Sequence, residues 1–140
     1  MTITSETTVP EGYDPAKDGT YMSPTMLAFF RDKLEAWKAE IVDETRGSVE
    51  SMKSGSLRHP DPTDTAAATA DHQFELRTRD RQRKLVAKID NALRRIAEGE
   101  YGYCERTGDE IGVPRLLARP VATLTIEAQE AHERGERTRA

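Results

Sequence analysis

Asp61 and Asp64 stand three residues apart in the stretch Pro60-Asp61-Pro62-Thr63-Asp64-Thr65-Ala66. Carboxylates at this spacing can cap a helix, with Asp61 as the cap, Pro62 in the first position and Asp64 beside the free N–H groups of the first turn. They can equally present paired negative charge to a partner, and the residue types alone leave both roles open. A second set is cationic: Arg77, Arg81, Lys84, Lys88 and Arg95 recur at spacings that keep them near one face of a helix. Residues 77–95 hold 8 basic and 2 acidic side chains, against 7 and 14 in residues 1–76 and 6 and 9 in residues 96–140. Such a stripe suits an anionic partner. Its plainer use is pairing with Asp32, Glu35, Glu40, Asp43 and Glu44, where a surface pair is worth about 0–1 kcal/mol. Cys104 is the one thiol, and His59, His72 and His132 lie far from it in sequence, so neither a disulfide nor a nucleophile–base pair is indicated. A lone cysteine of this kind reads as a small, partly buried residue.

The elements that must position these groups are helices. Pro60 and Pro62 cannot sit inside a helix, because each lacks an N–H and clashes with the preceding turn. On either side lie helix-compatible runs over about 24 to 54 and about 63 to 98. The prolines therefore predict a hairpin tip at about 55–66 joining two antiparallel arms, each on the order of 45 Å long. Ser23-Pro24 is a start signal, and Gly99 a stop. Leu27, Phe30, Leu34, Trp37, Ile41, Thr45, Val49 and Met52 follow at spacings of three and four, a coiled-coil-like seam. Phe74, Leu85, Ile89, Ala92 and Ile96 are expected to supply the facing stripe. Residues 1–22 read as an irregular lead-in packed on the rest through Tyr13 or Tyr21. Residues 99–140 read as a turn-rich knob followed by a helix over about 125 to 137. The fold expected is all-α: a coiled-coil hairpin over 23–98 with a small knob.

Composition narrows the function. Over 140 residues the charged content is 33% and the net charge −4, which argues against gripping bare nucleic acid as the main task. Met26-Leu27-Ala28-Phe29-Phe30 is too short to span a bilayer, and no signal peptide is visible, so a cytoplasmic protein is expected.

Taken together, Asp61-Pro62-x-Asp64-x-Ala66, Arg79-Asp80-Arg81-x-Arg83-Lys84-Leu85, Tyr101-Gly102-Tyr103-Cys104-Glu105, Glu110-Ile111-Gly112 and Ala118-Arg119-Pro120 resemble the DksA/TraR family of bacterial RNA polymerase-binding proteins. With Leu34-Glu35-Ala36-Trp37, the resemblance covers roughly residues 13–135. It implies a coiled-coil hairpin on a small globular domain, and a partner, RNA polymerase, whose secondary channel the hairpin enters. It implies that the tip residues Asp61, Asp64 and Ala66 act near the catalytic centre to modulate open complexes at stringent-response promoters. It further implies that Arg81, Leu85, Lys88 and Arg119 contact polymerase or guanosine tetraphosphate, with Gln129 standing at a position that is basic in other members.

The sequence departs from the family pattern at the metal. Members carry C-x2-C-x17-C-x2-C around zinc, and the matching positions here are Cys104, Thr107, Thr125 and Ala128. One thiolate cannot close a tetrahedral zinc site, so the expectation is a zinc-free knob with no resident cofactor, held by Tyr101, Tyr103, Ile111, Val113, Leu116, Leu117, Leu124 and Ile126. A monomeric transcription regulator is expected, without sequence-specific DNA binding of its own and without enzymatic activity. The second reading is a coiled-coil adaptor whose tip binds another protein.

Overall fold

A computed structural model describes residues 6–55 and 62–139, with side chains described up to 47 and again from 67 to 138. The order of elements is a short 3-10 turn (Pro15–Lys17) and then α1 (Pro24–Gly55), α2 (Pro62–Glu98), α3 (Val113–Ala118) and α4 (Ile126–Arg139). Among the described residues there is no strand, only an isolated antiparallel bridge between Tyr103 and Glu110. The chain divides into two compact units, one of Met1–Glu35 with Ile89–Ala140, the other of Ala36–Lys88.

In the first unit, α1 begins where local chemistry places it. The Ser23 carbonyl accepts from Leu27 N at 2.9 Å and its hydroxyl accepts from Met26 N at 3.2 Å, a side-chain cap ahead of Pro24. Asp18 anchors the preceding loop, since its carboxylate accepts from the Ser23 and Tyr13 hydroxyls, each at 2.6 Å. These bonds, with one from Thr20 N, hold the Asp18 carboxyl below its ordinary range. Burial and the Asp18 bond push the Tyr13 hydroxyl up to about 12. The core sets Met22, Met26, Leu27, Phe30 and Leu34 together with Ile89, Ala92, Ile96, Tyr101, Ile111 and Leu116, all buried. Each large side chain here contributes about 1.5–3 kcal/mol by leaving water. Phe30 and Tyr101 pack with ring centroids 5.5 Å apart, and the Tyr101 hydroxyl donates to Pro120 O at 2.7 Å. Gly99, at φ 76, ends α2 and turns the chain into the knob.

In the second unit, α1 and α2 face each other through a polar layer. The Thr45 hydroxyl lies 2.9 Å from Gln82 Oε1 and 2.9 Å from Ile41 O, and donates to one at a time. Gln82 Nε2 donates to Glu44 at 3.4 Å. The segment joining the helices spans only 56–61, so the two run antiparallel. Of the tip predicted at about 55–66, residues 56–61, Asp61 among them, lie outside the described residues, whereas 55 and 62–66 belong to the two helices; the side chains of Val49 and Met52 are also outside the description.

The facing stripe on α2 needs one correction. It runs through Glu75, Thr78, Gln82, Leu85, Ile89, Ala92 and Ile96, each buried or half-buried, at alternating spacings of three and four. Phe74 falls one residue off this seam and is 67% exposed. One residue is about 100° of helix, which takes a side chain from the seam to its flank.

Candidate functional site

Two places hold the residues singled out by chemistry. The first is α2 within the second unit. Asp64 occupies its first turn, where a carboxylate complements the positive end of the helix dipole, and Ala66 follows half a turn later; their side chains are outside the description. Arg77, Arg81, Lys84 and Lys88 are exposed along one flank. Lys84 Nζ pairs with Asp80 at 3.1 Å, an i,i+4 contact within the helix. Arg83 also pairs with Asp80, and the two cations hold the Asp80 carboxyl below its ordinary range. Arg81 and Lys88 have no ion pair among the described residues. Leu85 is half-buried on the seam, which leaves only its edge for a partner.

Arg95 continues the same flank in sequence but belongs to the first unit, and there it is only 9% exposed. Its guanidinium donates to Tyr103 O at 2.8 Å, Glu100 O at 3.1 Å and Glu105 Oε1 at 3.3 Å. The expectation of a solvent-facing basic group fails at this position, because the chain after Gly99 folds back over the end of α2. Arg95 instead ties the start of the knob together.

The knob is the second place. Cys104 N donates to Asp109 O at 2.8 Å, Gly108 N to Cys104 O at 2.9 Å and Ile111 N to Gly102 O at 2.8 Å, closing a tight loop. Tyr21 ties the lead-in to this loop by hydrogen bonds: its hydroxyl donates to Gly102 O at 2.7 Å and accepts from Gly112 N at 3.0 Å. Cys104 is 4% exposed. Burial opposes its ionisation, but the Thr107 hydroxyl and backbone N–H groups of Thr125, Thr107 and Arg106 outweigh that and bring the thiol down to about 6. Thr125 caps α4, accepting from Ala128 N at 3.2 Å, with its hydroxyl 4.0 Å from Cys104 Sγ. Ala128 is buried against the knob. Ile126, expected in the packing, is 51% exposed, because Ala128 two positions later points inward and neighbours two apart on a helix face opposite ways. Arg119 is exposed at the C-terminal cap of α3, and Gln129 donates to Glu133 at 3.1 Å. Lys88 and Arg119 belong to different units.

Sequence reasoning missed the positioning role of Arg95, and it offered Tyr21 as an anchor of the lead-in alongside Tyr13 without foreseeing its partners. Tyr21 meets residues 81 and 91 positions away, for which no local pattern exists. The signal for Arg95 was weak but present: it sits four residues before Gly99, where a cation can reach the last carbonyls of a helix.

These features define a class: an all-α protein with two long facing helices and a turn-rich knob closed by backbone hydrogen bonds. Comparison with known proteins gives the family. The family model described as "DnaK suppressor protein DksA, N-terminal domain" matches residues 26–96, and "Prokaryotic dksA/traR C4-type zinc finger" matches residues 99–134. The chain is 52% identical over 125 residues to the RNA polymerase-binding transcription factor DksA of Caulobacter vibrioides, covering 89% of this chain and 88% of the relative. It is 42% identical over 123 residues to the protein of that name in Escherichia coli K12, covering 88% and 82%. The solved structure of transcription factor DksA2 from Pseudomonas aeruginosa matches with TM-score 0.80 and 40% identity, over 86% of this chain and 92% of that one. The chain belongs to the DksA/TraR family.

The residues present do not fit the metal named in that family description. Zinc of the four-cysteine type needs thiolate or imidazole donors at about 2.0–2.3 Å. At the four positions stand a thiol, an exposed Thr107 hydroxyl, a Thr125 hydroxyl already used as a helix cap, and a methyl group. Among the described residues no group of three His, Cys, Asp or Glu side chains could hold a metal ion. No described helix is long and apolar enough to cross a membrane.

Proposed function

We propose that this chain binds RNA polymerase directly and regulates transcription, without enzymatic activity of its own. The observation that carries this reading is 40–52% identity, across both arm and knob, to relatives named RNA polymerase-binding transcription factors. The described geometry is compatible with it. A charged two-helix arm exposes Arg81 and Lys88 with no ion pair among the described residues to compete for them. The arm enters the polymerase secondary channel and brings Asp61, Asp64 and Ala66 to the catalytic region, where the charge of Asp64 weakens open complexes at sensitive promoters. Arg81, Lys88, Arg119 and the free edge of Leu85 make the flanking contacts. Guanosine tetraphosphate acts as co-regulator at that interface, with a site one charge poorer because Gln129 replaces a basic residue. The knob folds without zinc, held by Arg95, Tyr21 and the Tyr101 core. The protein works as a cytoplasmic monomer, where polymerase is. Pull-down with purified core RNA polymerase tests this: stoichiometric retention is expected. Absence of retention would return the chain to the adaptor reading.

A further inference from the structure

The arm contains a local inversion. At the level of residues 74–75, the seam position is filled by a carboxylate and the flank by an aromatic ring. Glu75 is half-buried, and its Oε2 is shielded from water with no hydrogen-bond partner among the described residues. Phe74 is 67% exposed, more than any other large apolar side chain among the described residues; the next is Ile126 at 51%. A helix built only to pair with its neighbour would place these two the other way round, and such local contradictions concentrate at functional surfaces. The flank on which Phe74 stands is also distinctive. Phe74, Arg77, Arg81, Lys84 and Lys88 alternate spacings of three and four, so the ring heads a column of exposed cations parallel to the seam.

We infer that Phe74 is an aromatic anchor for RNA polymerase, entering an apolar pocket rimmed by acidic side chains that Arg77, Arg81 and Lys88 meet. This rests on the polymerase-binding reading above. Charge complementarity selects the partner surface: a cationic column demands anions at the rim, and a bare ring demands an apolar centre. Aromatic centres ringed by charged groups are the usual composition of binding hot spots. A nucleic acid strand could also stack on Phe74, but the chain's net charge of −4, with Asp71 and Glu75 close to Phe74 in sequence, favours a protein surface.

The test is competition binding to core RNA polymerase by full-length parent, Phe74→Ala and Arg81→Ala proteins over a salt series. Phe74 is exposed and mid-helix, so Phe74→Ala should keep the parent's melting curve. It is expected to weaken binding by tenfold or more with an unchanged salt slope, whereas Arg81→Ala should flatten the slope. Phe74→Tyr should recover most of the affinity. Parent-like binding by folded Phe74→Ala, within twofold, would overturn the anchor while leaving polymerase binding intact. Failure of the parent itself to bind would overturn both. A fluorescent single-stranded RNA probe supplies the other arm. If the parent binds it at physiological salt and Phe74→Ala does not, the column is a nucleic-acid surface and the inference is wrong.

Discussion

Gly102→Ala should be among the most damaging single-methyl changes in the first unit. Gly102 is buried at φ +90, and a Cβ built there would lie 2.7 Å from Met22 Cε and 2.9 Å from its Cγ and Sδ. Two costs follow. An L-residue held at positive φ loses about 1–2 kcal/mol. Overlap with a packed side chain adds about 1–3 kcal/mol. Met22 cannot swing away cheaply, since it is 4% exposed, sits at φ 53, and has its N–H 3.2 Å from Met26 Sδ. The expected total is about 2–5 kcal/mol. Gly108→Ala is the control, because Gly108 is at φ +77 with nothing within 4 Å of a built Cβ, so only the backbone cost applies. Urea unfolding followed by circular dichroism gives both numbers. Adding Met22→Ala to Gly102→Ala should recover part of the excess through relieved overlap. If Gly102→Ala costs no more than Gly108→Ala, the clasp between lead-in and knob is not what orders this loop.

Three further outcomes are expected. Purified protein should contain no stoichiometric zinc, and a chelator should leave its melting curve unchanged; one zinc per chain by elemental analysis would contradict the donor set at Cys104, Thr107, Thr125 and Ala128. The Cys104 thiol ionises at about 6 when folded, below its unfolded value, so its contribution to stability is full above the unfolded pKa and disappears as pH falls through about 6. Melting temperatures across this window should therefore rise with pH in the parent and lose that component in Cys104→Ser, and equal slopes would remove the thiolate from the account. Lys88→Ala should reduce synergy with guanosine tetraphosphate more than it reduces polymerase binding, measured in transcription with and without the nucleotide. Intact synergy in that variant would take Lys88 out of the nucleotide site.

What was legible in the sequence was local. Ser23-Pro24, the proline Pro62 that opens α2 and Gly99 act through their own backbone geometry, and the helix bounds they imply fall within a residue of those observed. The seam of α2 was harder. Hydrophobicity puts Phe74 on it, yet the register that Leu85, Ile89 and Ile96 share runs through Gln82, Thr78 and Glu75, and register outweighs residue type. Burial created by tertiary contact left only a weak trace at Arg95, its place four residues before Gly99, because its neighbours on the same flank are solvated. The six residues of α3 carry too short a pattern to stand out, although Pro114 marks the start. Among the candidate sites, the residue types at Cys104, Thr107, Thr125 and Ala128 are read directly from the sequence. The hydrogen bonds that organise the loop around Cys104 are not, because backbone donors carry no sequence signature.

The central claim is that the charge of Asp64 acts inside polymerase rather than on the helix. Asn caps a helix about as well as Asp, within about 1 kcal/mol, so Asp64→Asn separates the two roles. The measurement is transcription in vitro from a sensitive promoter, with the variant shown to be folded and to compete for polymerase like the parent. Loss of regulation by the bound, folded Asp64→Asn protein is the predicted result. Full regulation by that protein would contradict the account and leave Asp64 as a helix cap.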